Sequence, residues 1–480
     1  MSGSVHSIQS RFAACLLAAV WTCQGLASLP DAGAAERVTR IRALPETALP
    51  FMSTVVATSS RAAAVSEPGM AVAISHLHTG YPLPNPAPPA DAHVSIYRLD
   101  ASGVPVAGEP VVLTLPKPAS LANRKTEVLG LACHPQFPLL YVWQDVEPLP
   151  EAKPTEPALY AEFDHLLIYS LEESPPKLLL ATARGNNFHC GASVGGFSLD
   201  ASARRLYVPN LQRIGPLKSF IPAIGWMTIE PDGLPAAETP LAPASAAEAG
   251  TAAPSATGPN APAGLATASG TITGSTPTPP TAPLDPAAAA AARAVKLAAW
   301  AVKPTQPYVA WETATSIVGD WPAPYNYAPI NDNAVLIGAY AGIGSWVLND
   351  RLGRFGYNYM LPMVYYRYRV TAHPALPAAY VSLIGYDGQL QRFELADGCL
   401  TLVPKTLQLD NVVVYAPPLV IAKGTKLALA AANRVCIVDL DDKGDFTKQA
   451  VQMAVYNPKT SAIAWSEKFS RLYVAIEKTP

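Results

Sequence analysis

The sequence predicts an all-β fold built from one repeated strand–turn–strand unit. The clearest copy is Leu131–Trp143, LACHPQFPLLYVW, in which a short apolar strand ends at a His-Pro pair and a second strand opens with Tyr-Val. Similar segments return at Leu199–Asn210, His373–Leu383 and Ser466–Glu477, and in each copy a tyrosine follows the start of the reversal by seven residues. The residues that begin the reversals are His134, Asp200, His373 and Ser466. A fixed spacing of this kind indicates repeated architecture and by itself indicates no chemistry.

Composition supports a large core rich in turns. Half of the 480 residues are hydrophobic and 15% are charged, and the 49 prolines are about twice the usual ~5% share. The formal net charge of −2 offers no general attraction to nucleic acid or to an anionic membrane surface. We therefore expect no nucleic-acid partner. We also expect no cofactor and a monomeric chain. A protein or small-molecule ligand of unknown identity remains open.

Residues 1–35 read as a signal peptide. Arg11 provides a positive start, Phe12–Ala27 an apolar stretch, and Ala32–Ala34 a cleavage site of small residues. The apolar stretch is too short to favour a membrane anchor, because a spanning helix needs ~20 apolar residues. The sequence thus predicts a periplasmic or secreted protein with no integral membrane segment after signal removal.

The spacing of the repeats predicts the architecture. Tyr380 and Tyr473 are 93 residues apart with one degenerate unit, Leu427–Ala431, between them. That gives about 46 residues per unit, within the ~40–50 residues of a propeller blade. Six full strand groups and a final half group predict a seven-bladed β-propeller of four-stranded antiparallel blades. A strand at Arg37–Ala43 is expected to complete the last blade and close the ring.

An insertion is predicted to divide the propeller into residues 36–234 and 304–480. Residues 235–285 consist mainly of Ala, Pro, Thr, Ser and Gly, a composition that predicts disorder. Residues 286–303 then predict an inserted α-helix, with Asp285 as N-cap, Pro286 at the first helical position and a stop at Pro304. Leu297 and Trp300 either dock this helix onto the β body or leave it as a loosely attached linker.

The amino-acid sequence of the repeat resembles that of a known group of proteins. The segment Arg204–Asn210, RRLYVPN, is similar to the YVTN-repeat and lactonase-like seven-bladed β-propellers, although Pro209 stands where a small residue is usual. The resemblance implies a propeller fold, with the Tyr-Val pair filling the space between blades. The group includes lactone hydrolases, dehydrogenase subunits and binding proteins, so the resemblance supplies no catalytic residue.

Two Cys/His pairs are the first candidates for chemistry. Cys133-His134 and His189-Cys190 are both expected at the inner strands of neighbouring blades. Thiolate and imidazole are natural ligands of zinc or copper. The alternatives are a Cys133–Cys190 disulfide, which export would allow, or two buried thiols with His134 simply ending its strand. The spacing matches no zinc-finger pattern, and no metal is expected.

Ligand-binding candidates include these histidines and one aromatic loop. His134, His189 and His373 could point towards a central channel, although His-Pro at 134 and 373 is also explained as a turn motif of the repeat. Trp321 and Tyr325 lie in a proline-rich loop whose aromatic rings would suit sugar or peptide binding, or would pack on their own blade.

The sequence contains no familiar catalytic motif. It has no G-x-S-x-G elbow, H-E-x-x-H, Walker loop or Rossmann fingerprint, so the catalytic residues are unknown. The main hypothesis is an exported propeller that acts as a binding or scaffold protein. The alternative is a lactonase-like hydrolase with its site in the central channel, and a third hypothesis is a redox or metal enzyme using the two Cys/His pairs.

Overall fold

The computed structural model is dominated by β-strands gathered into small sheets. The residues that it describes are 36–37, 42–44, 52–57, 60–76, 93–116, 126–146, 165–183, 188–190, 197–200, 202–214, 220–236, 285–301, 311–314, 324–331, 334–339, 342–347, 355–360, 367–384, 387–396, 399–400, 405–413, 417–431, 434–447, 452–455 and 460–477. Within these ranges the strands form seven sheets, which we number 1 to 7 in chain order. The predicted signal peptide, nearly all of the predicted disordered insertion and Trp321 lie outside the described residues.

Three of the sheets contain four antiparallel strands in sequence order. Sheet 1 comprises β4 (Ser60–Ser66), β5 (Ala71–His76), β6 (His93–Arg98) and β7 (Val111–Thr114). Sheet 2 comprises β8 (Thr126–Cys133), β9 (Leu139–Val146), β10 (His165–Ser170) and β11 (Lys177–Ala183). Sheet 4 comprises β17 (Pro324–Asn331), β18 (Ala334–Ala339), β19 (Gly342–Val347) and β20 (Phe355–Met360).

Sheet 3 is antiparallel but has a divided first position, since two short strands pair with different parts of β14. Its strands are β12 (Phe188–Cys190), β13 (Ser198–Leu199), β14 (Arg205–Ile214), β15 (Phe220–Thr228) and β16 (Trp311–Ala314).

The last three sheets each accept a strand from the N-terminal segment. Sheet 5 contains β21 (Arg367–Ala372), β22 (Ala378–Ile384), β23 (Asp387–Ala396), β24 (Cys399–Leu400) and β25 (Lys405–Val413). Sheet 6 contains β26 (Leu419–Ile421), β27 (Lys426–Ala431), β28 (Arg434–Asp439) and β29 (Gln452–Val455). Sheet 7 contains β30 (Thr460–Ser466) and β31 (Arg471–Glu477).

The N-terminal strands pair in parallel with the outer strands of those three sheets. The strand β1 (Glu36–Arg37) pairs with β25, β2 (Arg42–Leu44) pairs with β29, and β3 (Met52–Ala57) pairs with β31. The predicted latch at Arg37–Ala43 is therefore wrong, because that segment reaches sheets 5 and 6 while Met52–Ala57 completes sheet 7. Uniform four-stranded antiparallel blades are also wrong, since sheet size varies from three to six strands and three pairings are parallel.

The sheets form a closed ring, which gives the molecule a propeller arrangement. The first strand of each sheet contacts the neighbouring sheets, in the order β4, β8, β13, β17, β21, β26 and β30, and β30 contacts β4 again. The strand β4 had no counterpart in the sequence-based prediction, because SRAAAVS is rich in alanine and alanine has low β propensity. In the structure this innermost position lies close to both neighbouring sheets, and the small Ala64 is buried there.

Each second strand is buried on both faces. In β9, Leu139, Tyr141 and Trp143 pack in the cluster shared with sheet 3, whereas Leu140 and Val142 pack in the cluster shared with sheet 1. Alternate side chains of a strand point to opposite faces, so a continuous apolar run serves two interfaces at once. The core of this protein therefore lies between sheets.

A buried hydrogen bond recurs between neighbouring sheets. The hydroxyl of Tyr141 donates to the Gly233 carbonyl at 2.7 Å, that of Tyr380 to Gly444 at 2.8 Å, and that of Tyr473 to Gly103 at 2.7 Å. Each tyrosine comes from a second strand, and each glycine lies in the turn after the third strand of the next sheet in the ring. We call this contact the Tyr–Gly bond.

The glycine in each of these turns is required by backbone conformation. Gly103, Gly233 and Gly444 have φ between +74° and +81°, a region that costs glycine little and disfavours side chains. A Cβ at Gly444 would also lie 2.7 Å from the Tyr380 hydroxyl. The left-handed turn and the close approach of the tyrosine thus both require glycine at this position.

One α-helix, α1 (Pro286–Ala301), occurs among the described residues, in the position that the sequence predicts. The Asp285 carboxylate accepts hydrogen bonds from the amides of Ala287 and Ala288, at 2.9 and 3.0 Å, as an N-cap should. Within the described part of the chain no helix is long and apolar enough to cross a membrane.

The Tyr–Gly bond gives a stability prediction. We expect Tyr141→Phe to lower the free energy of unfolding by about 1–3 kcal/mol, because the buried Gly233 carbonyl loses its partner. The matched control is Tyr169→Phe on the adjacent strand, since the buried Tyr169 hydroxyl has no hydrogen-bond partner among the described residues. Urea denaturation should separate the two variants, and an equal loss in both would contradict a specific role for the bond.

Candidate functional site

His134 holds the turn that follows β8. Its side chain is 3% exposed, and its Nδ1 accepts hydrogen bonds from the amides of Gln136 and Phe137 at 3.1 and 3.2 Å. The ring also stacks on the Phe137 ring, with centroids 4.5 Å apart. An Nδ1 that accepts two hydrogen bonds belongs to the neutral tautomer protonated on Nε2. Burial and, to a lesser degree, the nearby Arg293 charge lower the pKa of His134 to about 4.

His373 makes the same contacts in sheet 5. Its Nδ1 accepts from the amides of Ala375 and Leu376 at 3.0 and 2.9 Å, and its Nε2 donates to the Gly424 carbonyl at 3.0 Å. Burial lowers the pKa of His373, which favours the neutral ring that this pattern needs. Both ring nitrogens of His373 are thus occupied within the protein.

Other residue types take the same role in other sheets. The carboxylate of Asp200 accepts from the amides of Arg204 and Arg205 in sheet 3, and the hydroxyl of Ser466 accepts from the Phe469 amide in sheet 7. His134 and His373 therefore occupy equivalent places in two different sheets and are not brought together. Their contacts are those of the turn motif that the sequence left open as an alternative.

The remaining candidate ligand-binding residues stay predictions. His189 and Tyr325 lie in the strands β12 and β17, but their side chains are outside the described part of the structure, as is the whole of Trp321.

Cys133 is a free thiol at the end of β8, and Cys436 is a buried residue of sheet 6. Burial raises the pKa of Cys133 to about 12, so this thiol is protonated and unreactive near neutral pH. The Cys133–Cys190 disulfide, which the sequence left open as one alternative, is not formed in the structure, in which Cys133 is a free thiol. The described residues contain no group of three or more His, Cys, Asp or Glu side chains placed to hold a metal ion.

A charged junction joins α1 to sheets 2 and 3, and sequence reasoning missed it. The guanidinium of Arg293 donates to the Asp232 carbonyl at 2.8 Å and lies 4.9 Å from the centre of the Phe137 ring. Lys296 Nζ lies 2.7 Å from Glu230 Oε2 and 3.7 Å from Asp232 Oδ1. We call this group the helix junction.

The helix junction confirms that α1 docks onto the β body. Most of the residues that make the contact differ from those that the sequence suggested. Ala289 is fully buried, and Leu297, which the sequence did suggest, packs against the same core cluster. The spacing of Ala289, Arg293 and Lys296 places them on one helical face. The sequence would have indicated this face if the aliphatic parts of the arginine and lysine side chains had been counted as apolar, together with alanine. The Trp300 side chain is outside the described residues.

The ring of sheets has two different ends. The turns at 134–138 and 373–377 and the Tyr–Gly bonds lie at one end, which we call the turn end. The connections after β5 and β9, residues 77–92 and 147–164, leave from the opposite end, which we call the loop end. Both connections lie outside the described residues.

Near the loop end, one buried amide has no partner. Gln144, two residues before the end of β9, is 1% exposed, and neither its nitrogen nor its oxygen has a hydrogen-bond partner among the described residues. The hydroxyl of Ser382, two residues before the end of β22, is likewise buried and unpaired there. Such groups are costly to bury unless something polar meets them.

The chain resembles solved structures only distantly, and no family model or characterised protein matches its sequence. A protein from Lactobacillus plantarum has 10% identity and a TM-score of 0.45, over 85% of this chain and 89% of that one. A putative 6-phosphogluconolactonase from Bacteroides fragilis has 10% identity and a TM-score of 0.44, over 84% and 85%. The periplasmic gluconolactonase of Pseudomonas aeruginosa has 9% identity and a TM-score of 0.44, over 83% and 86%. The activities in these names are those of the matched proteins, and they are not carried over to this chain by the likeness.

The helix junction can be tested by hydrogen exchange. We expect Arg293→Met to speed amide exchange in α1 about tenfold, since it removes a charged hydrogen bond and a cation–π contact that together exceed ~1.4 kcal/mol. The control is Val295→Ala on the same helix, because Val295 is 73% exposed. Unchanged exchange in Arg293→Met would show that α1 is held by other contacts.

The lowered pKa of His134 predicts that the folded protein loses stability in acid. Its folded pKa of about 4 is below the ordinary 6.5, so the unfolded chain binds more protons between these values and stability falls as pH drops from about 6.5 to about 4. The shift corresponds to about 3 kcal/mol. We expect His134→Asn, whose amide oxygen can accept the same hydrogen bonds without titrating, to flatten the slope of unfolding free energy against pH. An unchanged slope would contradict the assignment.

Proposed function

We propose that this chain is an exported seven-bladed propeller that binds a small-molecule ligand at the loop end, with lactone hydrolysis as the activity to test first. Each of the seven sheets would be one blade, in keeping with the closed order of contacts between first strands. Export is supported by the composition of residues 1–35.

The choice of the loop end follows from how polar groups are used. At the turn end, the described histidine, aspartate and tyrosine side chains mostly bond to backbone groups of their own or the next sheet. These groups are therefore committed to structure. Towards the loop end the Gln144 amide is buried and has no hydrogen-bond partner among the described residues, and this observation carries the proposal. Its two donor hydrogens and its acceptor oxygen could meet the hydroxyl groups of a polyol-like ligand.

Lactone hydrolysis is proposed from the resemblance of the Leu-Tyr-Val repeat to lactonase-like propellers. A purely scaffolding role is the other candidate, and the two differ in their products. Hydrolysis of a sugar lactone adds water across the ester bond and releases one carboxylic acid, which is measurable as acid production.

The first experiment measures activity and binding on the same protein. Residues 36–480 would be titrated with δ-gluconolactone and with γ-butyrolactone, measuring acid release at constant pH and the shift of the melting temperature. We expect a shift with the sugar lactone and acid release above the uncatalysed rate. A shift without acid release would favour the binding role, and neither effect across sugar lactones and their acids would contradict the proposal.

Gln144 provides the matched variant. We expect Gln144→Leu to leave the melting temperature within about 2 °C of the wild-type value or to raise it, because an unpaired buried amide adds no stability. The same variant should lose the ligand-induced shift. A fall of several degrees would mean that the fold itself uses this amide, and the support for a loop-end site would be withdrawn.

A further inference from the structure

An arginine accompanies all three Tyr–Gly bonds. Between sheets 7 and 1, Arg471 donates to the carbonyl of Ser102, the residue before the glycine, at 2.9 Å. Between sheets 5 and 6, Arg392 donates to the carbonyl of Lys443, which again precedes the glycine, at 2.8 Å. Both arginines belong to the sheet that supplies the tyrosine. In these two junctions one sheet therefore provides both donors.

Between sheets 2 and 3 the arginine comes from α1 instead. Arg293 donates to the carbonyl of Asp232, the residue before the glycine of this junction, at 2.8 Å. The position two residues before the tyrosine, which is arginine in sheet 7, holds Leu139 in sheet 2. The position opposite the tyrosine, which is arginine in sheet 5, holds Ile168. An inserted helix thus completes a junction that the other two sheets complete themselves.

The Arg293 side chain also contacts the turn that His134 holds. Its guanidinium lies 4.9 Å from the centre of the Phe137 ring, and the other neighbour of that ring is His134, with centroids 4.5 Å apart. The Phe137 amide donates to His134 Nδ1 at 3.2 Å. The place of the Phe137 ring under Arg293 therefore depends on His134 remaining a hydrogen-bond acceptor.

Protonation of His134 would disturb this contact in two ways. Nδ1 would carry a hydrogen, so it could no longer accept from the amides of Gln136 and Phe137. The imidazolium would also add a second positive charge beside the Arg293 guanidinium, and like charges repel strongly where little water screens them. Both effects weaken the hold of the β body on α1.

The remaining titratable groups around His134 lie on α1, on the turn of sheet 3 and on sheet 2, and they are Lys296, Glu230, Asp232, Cys133 and Tyr141. Burial raises the pKa of Cys133 and of Tyr141, so these two groups stay uncharged in acid. Protonation of Glu230 or Asp232 would weaken the contacts of Lys296. An experiment must therefore separate the two carboxylates from His134.

We propose that α1 is a clamp across sheets 2 and 3 that acid releases when His134 takes up a proton. The helix belongs to none of the seven sheets, so its departure would break no strand pairing. Release would uncover the Phe137 ring at the turn end and leave the Tyr–Gly bond of this junction without its arginine. The clamp is independent of the site proposed at the loop end.

The direction of the pH effect follows from linkage. Burial and then the charge of Arg293 lower the pKa of His134 to about 4 while α1 is docked. Release exposes the ring to water and removes the charge, so the pKa moves back towards the ordinary 6.5. The released state therefore binds more protons, and docking weakens as pH falls from about 6.5 to about 4.

The test is amide hydrogen exchange of residues 36–480, with each rate expressed relative to that of the unfolded chain at the same pH. We expect the protection of α1 to fall about tenfold between pH 7 and pH 5. The strands β10 and β27 should remain protected at both values. Constant protection of α1, or loss of its protection only together with these strands, would overturn the proposal.

A variant at position 134 identifies the titrating group. His134→Asn should keep α1 protected at pH 7 and remove most of the fall, because asparagine accepts hydrogen bonds without titrating. If that variant does not fold, His134→Ser takes its place, since serine begins the equivalent turns of sheets 1 and 7.

The matched control is His373→Asn, which changes the equivalent turn of sheet 5. It should leave the fall in α1 protection as large as in the wild type. A fall that persists in the non-titrating variant at position 134 would assign the effect to Glu230 and Asp232 and overturn the proposal. Equal effects of the substitutions at 134 and 373 would overturn it as well.

Discussion

The Tyr–Gly bond is the contact on which the arrangement of sheets depends. It joins the second strand of one sheet to a left-handed turn of the next, and it does so in the interior, where no water competes. Apolar packing between sheets is strong but has little direction, so it would tolerate sliding of one sheet against another. A buried hydrogen bond with a defined donor and acceptor fixes the register. Arg392 reinforces one of these junctions by donating to the Gly444 carbonyl at 3.1 Å.

The repeat architecture could be predicted from sequence because its signals are local. The Tyr-Val pair, the polar residue seven positions earlier and the Gly-containing turns recur at fixed spacing. Two features could not be predicted in this way. The alanine-rich β4 has a weak strand signal and owes its conformation to its position at the centre of the ring. The pairings of β1, β2 and β3 join residues far apart in sequence, and a short strand carries little information about its partner.

Candidate site residues were harder to predict, because one residue type serves both chemistry and structure. His134 and His373 attract attention as potential ligands, yet Asp200 and Ser466 perform the same turn-holding role. The feature common to all four is a side-chain acceptor, which a search for catalytic types does not reveal. Conversely, Gln144 matches no motif. It became a candidate because its buried amide has no hydrogen-bond partner among the described residues, which is a property of the folded chain.

The parallel N-terminal strands have a consequence for how the chain reaches its final form. Met52 pairs with Leu472, which stands 420 residues further along. The segment that contains β1, β2 and β3 therefore stays without its partners until the strands of the last three sheets have been made. Closing so large a loop is slow, and unpaired strand edges can associate with other chains in the meantime. Residues 36–57 are thus made long before their partners, and the interval until they pair is when the protein is most exposed to aggregation.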